Sequence, residues 1–352
     1  MVEDSLKIFT LGQNEKWDFL VRSFEKYDVY WLSGYVKSFK LHGDGEPILF
    51  YYEDGKTRGI NVVMRRDIAK FPYFAGKIEE EKYFDFATPY GYGGWLIEGE
   101  NHEKLFEEYG IWCRKNNIVS EFVRFHPIVE NHNVLGQEYQ ILPLGETVVM
   151  ELNNPEEIWW NLTGKNRNVI RKAIKNEVKI YNGRFPGIYG KFREIYNRKM
   201  EEDHADIYYF FKPEFYRILL EELPLNAQIF FAQIPDGTVI AAAVILAANG
   251  RMNYHLSASV KEYSALAPTN LLLYQVALWG YTNGYKTLYL GGGVGAAQDN
   301  LFKFKKAFSR GETKSFYIGK KIFMEGVYEE FIQMRKDLNM ESRYFPLYRA
   351  EN

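Results

Sequence analysis

The chain has a single cysteine, Cys113, among its 352 residues, which excludes an internal disulfide and a cysteine-based metal site. It also lacks the H-E-x-x-H and G-x-S-x-G patterns and any paired histidine spacing, so nothing supports zinc hydrolysis or a serine triad. No uninterrupted apolar run is long enough to span a bilayer, and the acidic start MVEDSLKIF has no apolar signal core. These absences predict a cytoplasmic protein without a metal site, for which peripheral membrane contact stays open.

A strong excess of one charge is also missing. The formal net charge is -2, so any contact with nucleic acid must come from a local patch. One candidate is KNRNVIRKAIK, residues 165–175, with five basic residues and no acid. Arg167, Arg171 and Lys175 recur at every fourth position, with Lys172 beside them, so they predict a basic helical stripe. Such a stripe suits phosphates or an RNA backbone, and a merely solvated face is the alternative.

Aromatic residues are abundant, at 17% of the chain. Two tyrosines stand among three glycines in PYGYGG, residues 89–94, where Tyr90, Gly91 and Tyr92 are candidates for ligand contact. The segment matches neither a P-loop nor a dinucleotide fingerprint, so a tight structural turn is an equal alternative. His126 and His255 are single histidines on predicted strands, a setting that favours a structural role.

The length accommodates two domains, and the turn-like sequence Asn153-Asn154-Pro155 predicts a boundary near residue 150. In the second half, helices are predicted over 155–177 (with a break at Thr163-Gly164), 187–203 and 212–222. Strands over 227–234, 239–247 and 251–258, joined by short turns, predict an antiparallel meander. A helix after Pro268, a strand, a helix over 300–310, a further strand and a last helix over about 325–338 complete this half.

The segment 252–319 is the most informative. Gly291, Gly292 and Gly293 follow one another at the end of a strand, where they allow a close backbone approach. In the following helix, with Asp299 as its predicted N-cap, helical spacing aligns Leu301, Phe304 and Phe308 on one apolar stripe and puts Lys305 at its edge. An edge lysine can stabilise a phosphate or a developing oxyanion in a cleft. The alternative is a solvated lysine.

The order YHLSAS, N-L-L-L-Y, L-Y-L-G-G-G and L-F-K-F-K-K-A-F resembles the second half of the FemABX family and the related BioF2-like acetyltransferases. Upstream, KNRNVIRKAIK is similar to the family's K-x-R-x-x-I-R-K-A segment, and RFHPIVEN and PYGYGG resemble it more weakly. The resemblance implies an α/β (α+β) fold of two GNAT-like domains. Each would have a mixed, mostly antiparallel sheet flanked by helices, in residues 1–150 and 151–352.

The resemblance also implies an acyltransferase that moves an aminoacyl or acyl group onto an amine of a cell-wall or polysaccharide precursor. Aminoacyl-tRNA or acyl-coenzyme A would be a co-substrate, with no bound cofactor. The family's F-K dipeptide maps onto Phe304 and Lys305, with Lys305 catalytic. The remaining expected site residues fall into three sets: Tyr254, His255 and Gly291–Gly293 along the acyl channel; Arg167, Arg171 and Lys172 on phosphates; and Tyr90, Gly91, Tyr92 and Arg124 toward the acceptor.

The chain departs from ordinary acetyltransferases in the loop SVKEYSALAPTN, which has no glycine and no arginine to bind the coenzyme A pyrophosphate. This favours a donor other than coenzyme A. Two alternatives remain open: an acetyl-coenzyme A-dependent N-acetyltransferase of surface polysaccharide synthesis, and a non-catalytic tRNA-binding module. The acceptor, the transferred group and the oligomeric state also stay open.

Overall fold

The computed structural model describes residues 5–351. Thirteen strands form within this range: β1 (Leu6–Phe9), β2 (Glu46–Glu53), β3 (Arg58–Asp67), β4 (Phe84–Ala87), β5 (Leu96–Glu98), β6 (Ile118–Arg124), β7 (Gln140–Glu151), β8 (Lys179–Gly183), β9 (Ala227–Gln233), β10 (Val239–Ala248), β11 (Arg251–Ser259), β12 (Thr287–Gly291) and β13 (Lys314–Ile322). The α-helices of the same range are α1 (Asn14–Arg22), α2 (Ser33–His42), α3 (Glu103–Lys115), α4 (Pro155–Asn161), α5 (Gly164–Lys175), α6 (Pro186–Glu202), α7 (Pro213–Glu222), α8 (Pro268–Thr282), α9 (Asn300–Lys306) and α10 (Glu325–Met334).

The chain divides into two compact units. The first comprises the described residues up to Leu144 and from Phe316 onward, and the second is Gly145–Ser315. The division predicted at residue 150 assigned the whole C-terminal part to the second domain. In the structure, residues from Phe316 onward pack within the first unit instead.

The first unit is built on a sheet with the strand order β1-β2-β3-β4-β6-β13, with β5 added beside β3. Only the β4–β6 pair is parallel. Helix α3 buries Leu105, Phe106, Tyr109 and Cys113 against this sheet. Cys113 is fully buried in the helix, where it packs as a small apolar residue.

A buried ionic network attaches the end of the chain to this first sheet. The Asp85 carboxylate accepts hydrogen bonds from Arg349 Nε at 2.5 Å, Arg66 Nε at 2.7 Å and the Tyr348 hydroxyl at 3.0 Å. Burial alone would raise the pKa of Asp85, but the two arginines lower it below its ordinary value. This pairing across more than 260 residues of sequence explains why the last segment belongs to the first unit.

The second unit is built on a sheet with the order β7-β12-β11-β10-β9-β8, in which only the β11–β12 pair is parallel. Strand β10 is buried at nearly every position, as expected for a strand covered on both faces. Its alternate residues Ala241, Ala243 and Ile245 share a core with helices α5 and α8. Helix α6 packs on β10 and β11, and α7 packs on β9.

Strands β11 and β12 part after a short parallel ladder. Their register covers only residues 251–253 against 287–289, although β11 continues to Ser259. Val244 pairs with Leu256 and Ile245 with Tyr254, so His255 is an extra residue in β11. Such a bulge bends its strand and increases the local twist. The result is a splayed pair of strands whose opening lies beside Gly291, at the end of β12.

The predicted meander β9–β11, the helix after Pro268 and the break at Thr163-Gly164 are confirmed. Helix α9 is shorter than predicted, because it ends at Lys306. The predicted apolar stripe is wrong at Leu301, which is 39% exposed, whereas Phe302 is buried. No helix among residues 5–351 combines the length and the apolar character needed to cross a bilayer.

Candidate active site

Each of the three consecutive glycines has its own structural reason. Gly291 has a φ of +79°, which L side chains rarely adopt. A β-carbon on Gly292 would lie 2.8 Å from the carbonyl oxygen of Glu146, and one on Gly293 would lie 2.1 Å from that of Ala297. The run therefore forms a tight turn, hereafter the glycine turn (Gly291–Gly293), which leads from β12 toward α9.

Asp299 fixes this turn to helix α9. Its carboxylate accepts hydrogen bonds from the backbone amides of Phe302 at 2.8 Å and Val294 at 3.1 Å. These bonds lower the pKa of Asp299, because they stabilise the charged form. The predicted N-cap is confirmed, and the same carboxylate binds both sides of the loop.

Lys305 points back from α9 to the glycine turn. Its Nζ atom donates a hydrogen bond of 2.6 Å to the carbonyl oxygen of Gly292 and lies 3.4 Å from the position of a β-carbon on Gly291. Within residues 5–351 it forms no ion pair. Burial lowers its pKa from 10.5 to about 8, while the charge of Asp299 acts in the opposite direction. At neutral pH the Lys305 side chain is an ammonium, held by its hydrogen bond to Gly292 and not by an ion pair.

Phe304 and Tyr254 pack against the same core of the second unit. Phe304 makes an edge contact with Phe308, with ring centroids 5.3 Å apart. The hydroxyl of Tyr254 is hydrogen-bonded to Ser257 at 2.5 Å, and burial raises its pKa to about 12. Burial lowers the pKa of His255 to about 3, so this histidine is neutral near pH 7 and a weak base.

Polar side chains that the sequence interpretation missed hold α9 in position. The backbone amide of Thr163 donates to the carbonyl oxygen of Ala307 at 2.9 Å, and Asn166 Nδ2 donates to the same oxygen at 3.1 Å. Asn270, on the first turn of α8, donates to Asn166 Oδ1 at 2.8 Å. Asn166 is buried, although most of its neighbours in α5 are polar and exposed.

The three basic candidates on α5 differ from one another. Arg167 donates to the carbonyl oxygens of Leu162 at 2.7 Å and Trp160 at 3.2 Å, so it caps the C-terminal end of α4. Arg171 is exposed, stacks on Trp159 and bonds to Asn168. Lys172 is exposed. Arg171 and Lys172 are thus the more exposed of the three candidates, and Arg167 is half-buried.

The PYGYGG segment belongs to the first unit and is strongly held there. Gly91 has a φ of +95°, and its carbonyl oxygen accepts from Arg124 Nε at 2.9 Å. The Tyr90 carbonyl oxygen accepts from the Tyr35 hydroxyl. Tyr92 is buried against Tyr30, His126 and Phe316. The structure thus brings Tyr90, Gly91, Tyr92 and Arg124 together, with the last stacked on Phe316.

His126 is a fully buried residue of the same aromatic cluster. Its Nδ1 atom accepts from the amides of Ile128 and Val129, both at 3.2 Å. Its Nε2 atom lies 3.2 Å from Asp28 Oδ2. These contacts fit the structural role that its position predicts. Among the described residues, no group of three or more histidine, cysteine or acidic side chains is arranged to hold a metal ion.

Comparison with known proteins bears on the second unit directly. Residues 164–306 match the family model described as an acetyltransferase (GNAT) domain. This part of the chain is similar to GNAT acetyltransferase domains. This segment includes α5, the splayed strands, the glycine turn and Lys305. The predicted acyltransferase is confirmed at this level, and the domain implies an acyl-coenzyme A co-substrate without supporting aminoacyl-tRNA.

Solved structures support the same fold over most of the chain. FemX is 15% identical with a TM-score of 0.67, covering 92% of this chain and 99% of its own. The C-terminal domain assigned to a lysylphosphatidylglycerol synthetase of Agrobacterium fabrum is 12% identical with a TM-score of 0.55, covering 88% and 92%. L-PGS from Bacillus licheniformis is 16% identical with a TM-score of 0.53, covering 81% and 86%. The predicted resemblance to a FemABX-like GNAT fold is thereby confirmed. No curated protein matches the chain by sequence.

Proposed function

We propose that this GNAT-fold acyltransferase transfers an aminoacyl group to an amine of a cell-envelope precursor, a peptidoglycan peptide or an amino sugar. The observation that carries the proposal is the Lys305 ammonium, which lies against the glycine turn at the opening between β11 and β12. The names of FemX and of the lysylphosphatidylglycerol synthetase support an aminoacyl group over a simple acyl group.

In the proposed reaction the acceptor amine attacks the carbonyl carbon of an activated ester. A carbon–nitrogen bond forms, and the carbonyl oxygen becomes an oxyanion that the Lys305 ammonium stabilises. The intermediate then collapses, the ester carbon–oxygen bond breaks, and the leaving alkoxide takes a proton to become a hydroxyl. His255 is too weak a base to accept the amine proton, so water or the substrate accepts it.

The loop SVKEYSALAPTN, residues 259–270, supports a donor other than coenzyme A. Residues Lys261–Leu266 form a 3-10 helix in front of α8, and the Glu262 carboxylate within it is paired with Arg198. A carboxylate at this point repels a pyrophosphate, whereas ordinary acetyltransferases present glycine amides there. Arg171 and Lys172 on α5 are our candidates for phosphate contacts with a tRNA donor.

Acetyl transfer from acetyl-coenzyme A to an amino sugar is the second candidate, and the match to an acetyltransferase domain favours it. The Lys305 chemistry is the same, except that a thiolate leaves. In both cases Tyr90, Gly91, Tyr92 and Arg124 remain our candidates for acceptor contact. Their arrangement leaves Arg124 and Tyr90 partly exposed beside buried aromatic rings.

The deciding experiment compares donors with one purified enzyme. Each reaction contains one donor, either a mixed pool of aminoacyl-tRNA or acetyl-coenzyme A. It also contains one acceptor, either a UDP-linked muropeptide or a UDP-linked amino sugar. Mass spectrometry identifies the products. We expect an aminoacylated product from the tRNA pool. Acetylation alone would replace the first candidate by the second. Binding of tRNA with a steep salt dependence but without transfer would contradict both and indicate a tRNA-binding module.

A further inference from the structure

Helices α6 and α7 of the second unit carry polar atoms that are buried without hydrogen-bond partners in the described chain. They are the Tyr189 hydroxyl, Arg193 Nε and Asn197 Oδ1 on α6 and the Tyr216 hydroxyl on α7. The Tyr189 hydroxyl lies within reach of the charge of Arg184, and we call the other three residues the α6–α7 polar cluster. More than nine in ten buried polar groups in folded proteins are hydrogen-bonded, so four such atoms on two adjacent helices require an explanation.

The three side chains lie on neighbouring surfaces. Arg193 and Asn197 are four residues apart and therefore project from the same side of α6. Tyr216 is only 3% exposed, and its ring makes an edge contact with Phe192 on α6, with centroids 5.8 Å apart. Burial raises the pKa of Tyr216, and the nearby charge of Arg193 acts in the opposite direction. The guanidinium and the phenol are thus within electrostatic reach of each other.

Arg193 differs from the other arginines around it. Arg198 pairs with Glu262, Arg217 pairs with Glu221, and Arg184 donates to the carbonyl oxygen of Leu220. Arg193 has neither an ion pair nor a hydrogen bond to any residue of the described chain, and its side chain is half-buried beside aromatic rings. The buried Nε atom costs free energy as long as no acceptor joins it, and an anion that reaches the half-buried guanidinium supplies one.

The chemistry of the cluster selects its ligand. Arg193 and the Tyr216 hydroxyl donate hydrogen bonds, and the planar guanidinium fits a carboxylate. Asn197 Oδ1 is an acceptor and needs an N–H group. A carboxylate and an amide N–H occur on neighbouring atoms at the C-terminus of a peptide. A phosphate supplies no N–H for Asn197, so it fits the cluster less well.

We propose that the α6–α7 polar cluster binds the C-terminal carboxylate of a short peptide, with Arg193 and Tyr216 on the carboxylate and Asn197 on the last amide N–H. Helix α6 packs on β11, which parts from β12 beside the glycine turn. A peptide bound here is therefore held on the helical layer that covers one side of the splayed strand. The assignment of this peptide as part of the acceptor rests on the proposed function, whereas the binding of the peptide to the cluster does not.

The test uses two probes that differ only at the carboxylate: N-acetyl-glycyl-glycine and its C-terminal amide. Titrations are followed by NMR chemical shifts without any donor. We expect the acid to bind and the amide to bind about tenfold more weakly or not at all. Arg193→Met is expected to lose at least about tenfold in affinity for the acid, and Tyr216→Phe to lose less. Arg217→Met, an exposed neighbour on α7, is the matched control and is expected to bind normally.

The proposal would be overturned by equal binding of the acid and the amide, or by wild-type affinity of Arg193→Met for the acid. It would also be overturned if neither probe bound, in which case the cluster is only hydrated. Thermal unfolding gives an independent check. Because Arg193 has no partner among the described residues, Arg193→Met should unfold at the same temperature as the wild type or higher, and a clearly lower temperature would show a structural role instead. If the acid probe binds but no donor supports transfer, the proposed function is contradicted and the peptide-binding proposal stands. If transfer occurs but the probe does not bind, the peptide-binding proposal is contradicted and the proposed function stands.

Discussion

The Nζ atom of Lys305 lies 2.6 Å from the carbonyl oxygen of Gly292, at the turn where β12 ends and its parallel partner has already diverged. The lysine reaches this position because Asp299 caps the short helix that carries it and also binds the amide of Val294. An ammonium near the splayed strands, with a lowered pKa, is the arrangement expected for stabilising an oxyanion.

Activity should depend on the charge of Lys305. Because its pKa is lowered to about 8, the ammonium is lost as the pH rises through about 8. We expect kcat/KM for transfer to fall above that pH in the wild type. In Lys305→Arg, whose guanidinium stays charged, any remaining activity should not fall in the same range. A pH–rate profile with excess acceptor amine checks this, and identical profiles for the two proteins would contradict it.

The same lowered pKa predicts a dependence of stability on pH. A lysine whose pKa is lower in the folded state stabilises the fold fully above 10.5 and loses that contribution as the pH falls through about 8. Lys305→Met lacks this proton linkage. Its free energy of unfolding should therefore exceed the wild-type value at pH 7, and the difference should narrow between pH 8 and 10. Urea titrations at several pH values measure it, and a constant difference would show that Lys305 is not buried in solution.

Gly293→Ala should disrupt the glycine turn. Its β-carbon would lie 2.1 Å from the Ala297 carbonyl oxygen and 2.3 Å from Asp299 Oδ1, so the loop or the cap must move. We expect a loss of about 1–3 kcal/mol in the free energy of unfolding, together with lower activity. Gly190→Ala on α6 is the control, because no atom lies within 4 Å of its added carbon, and it should gain up to about 1 kcal/mol. Equal effects of the two substitutions would argue against the described turn.

Asn166→Ala tests whether α9 is held from outside. The substitution removes the bonds to Ala307 and Asn270 and leaves the Asn270 amide without this acceptor. The free energy of unfolding should fall by about 1–3 kcal/mol. The transfer rate should fall while the KM for the donor changes little, because Lys305 is displaced. Ile174→Ala, at an exposed position of the same helix, is the control. A changed KM with an unchanged rate would place Asn166 in donor binding instead.

Arg349→Met should destabilise the first unit. It removes a partner of the fully buried Asp85 carboxylate, and removing one member of a buried pair costs about 3–5 kcal/mol. The low pKa of Asp85 means that this contribution is present above its ordinary pKa and is lost as the pH falls below it. Denaturant unfolding at pH 7 and pH 3 measures both effects. A cost that persists unchanged at pH 3 would contradict this origin.

Local patterns predicted the part of the fold that local physics determines. The short turns of the meander, the cap at Asp299 and the helix after Pro268 depend on neighbouring residues, and all were predicted. The prediction for Leu301 was wrong because helical spacing gives the relative direction of side chains but not which side faces the core. In the structure the side that carries Phe302 faces the core. The contacts Asp85–Arg349 and Asn166–Ala307 join distant parts of the sequence, so no local pattern could predict them.

The roles of individual candidates also depend on distant contacts. Arg167 belongs to a predicted basic stripe, yet its guanidinium bonds to the end of α4. PYGYGG was equally open to a turn or a ligand site, and the positive φ of Gly91 with its bond from Arg124 accounts for the glycine there. The roles of Arg171, Lys172 and the tyrosines in binding remain predictions.

The most direct test of the account is the single-turnover rate of acyl transfer by Lys305→Met beside Lys303→Met, with the donor and acceptor that the wild type uses. Lys303 is exposed on the same short helix, so its substitution controls for charge and for helix stability. We predict that Lys305→Met loses about a hundredfold or more in rate while it stays folded, and that Lys303→Met stays near the wild-type rate. Full activity of a folded Lys305→Met would contradict the assignment of Lys305 as the catalytic residue.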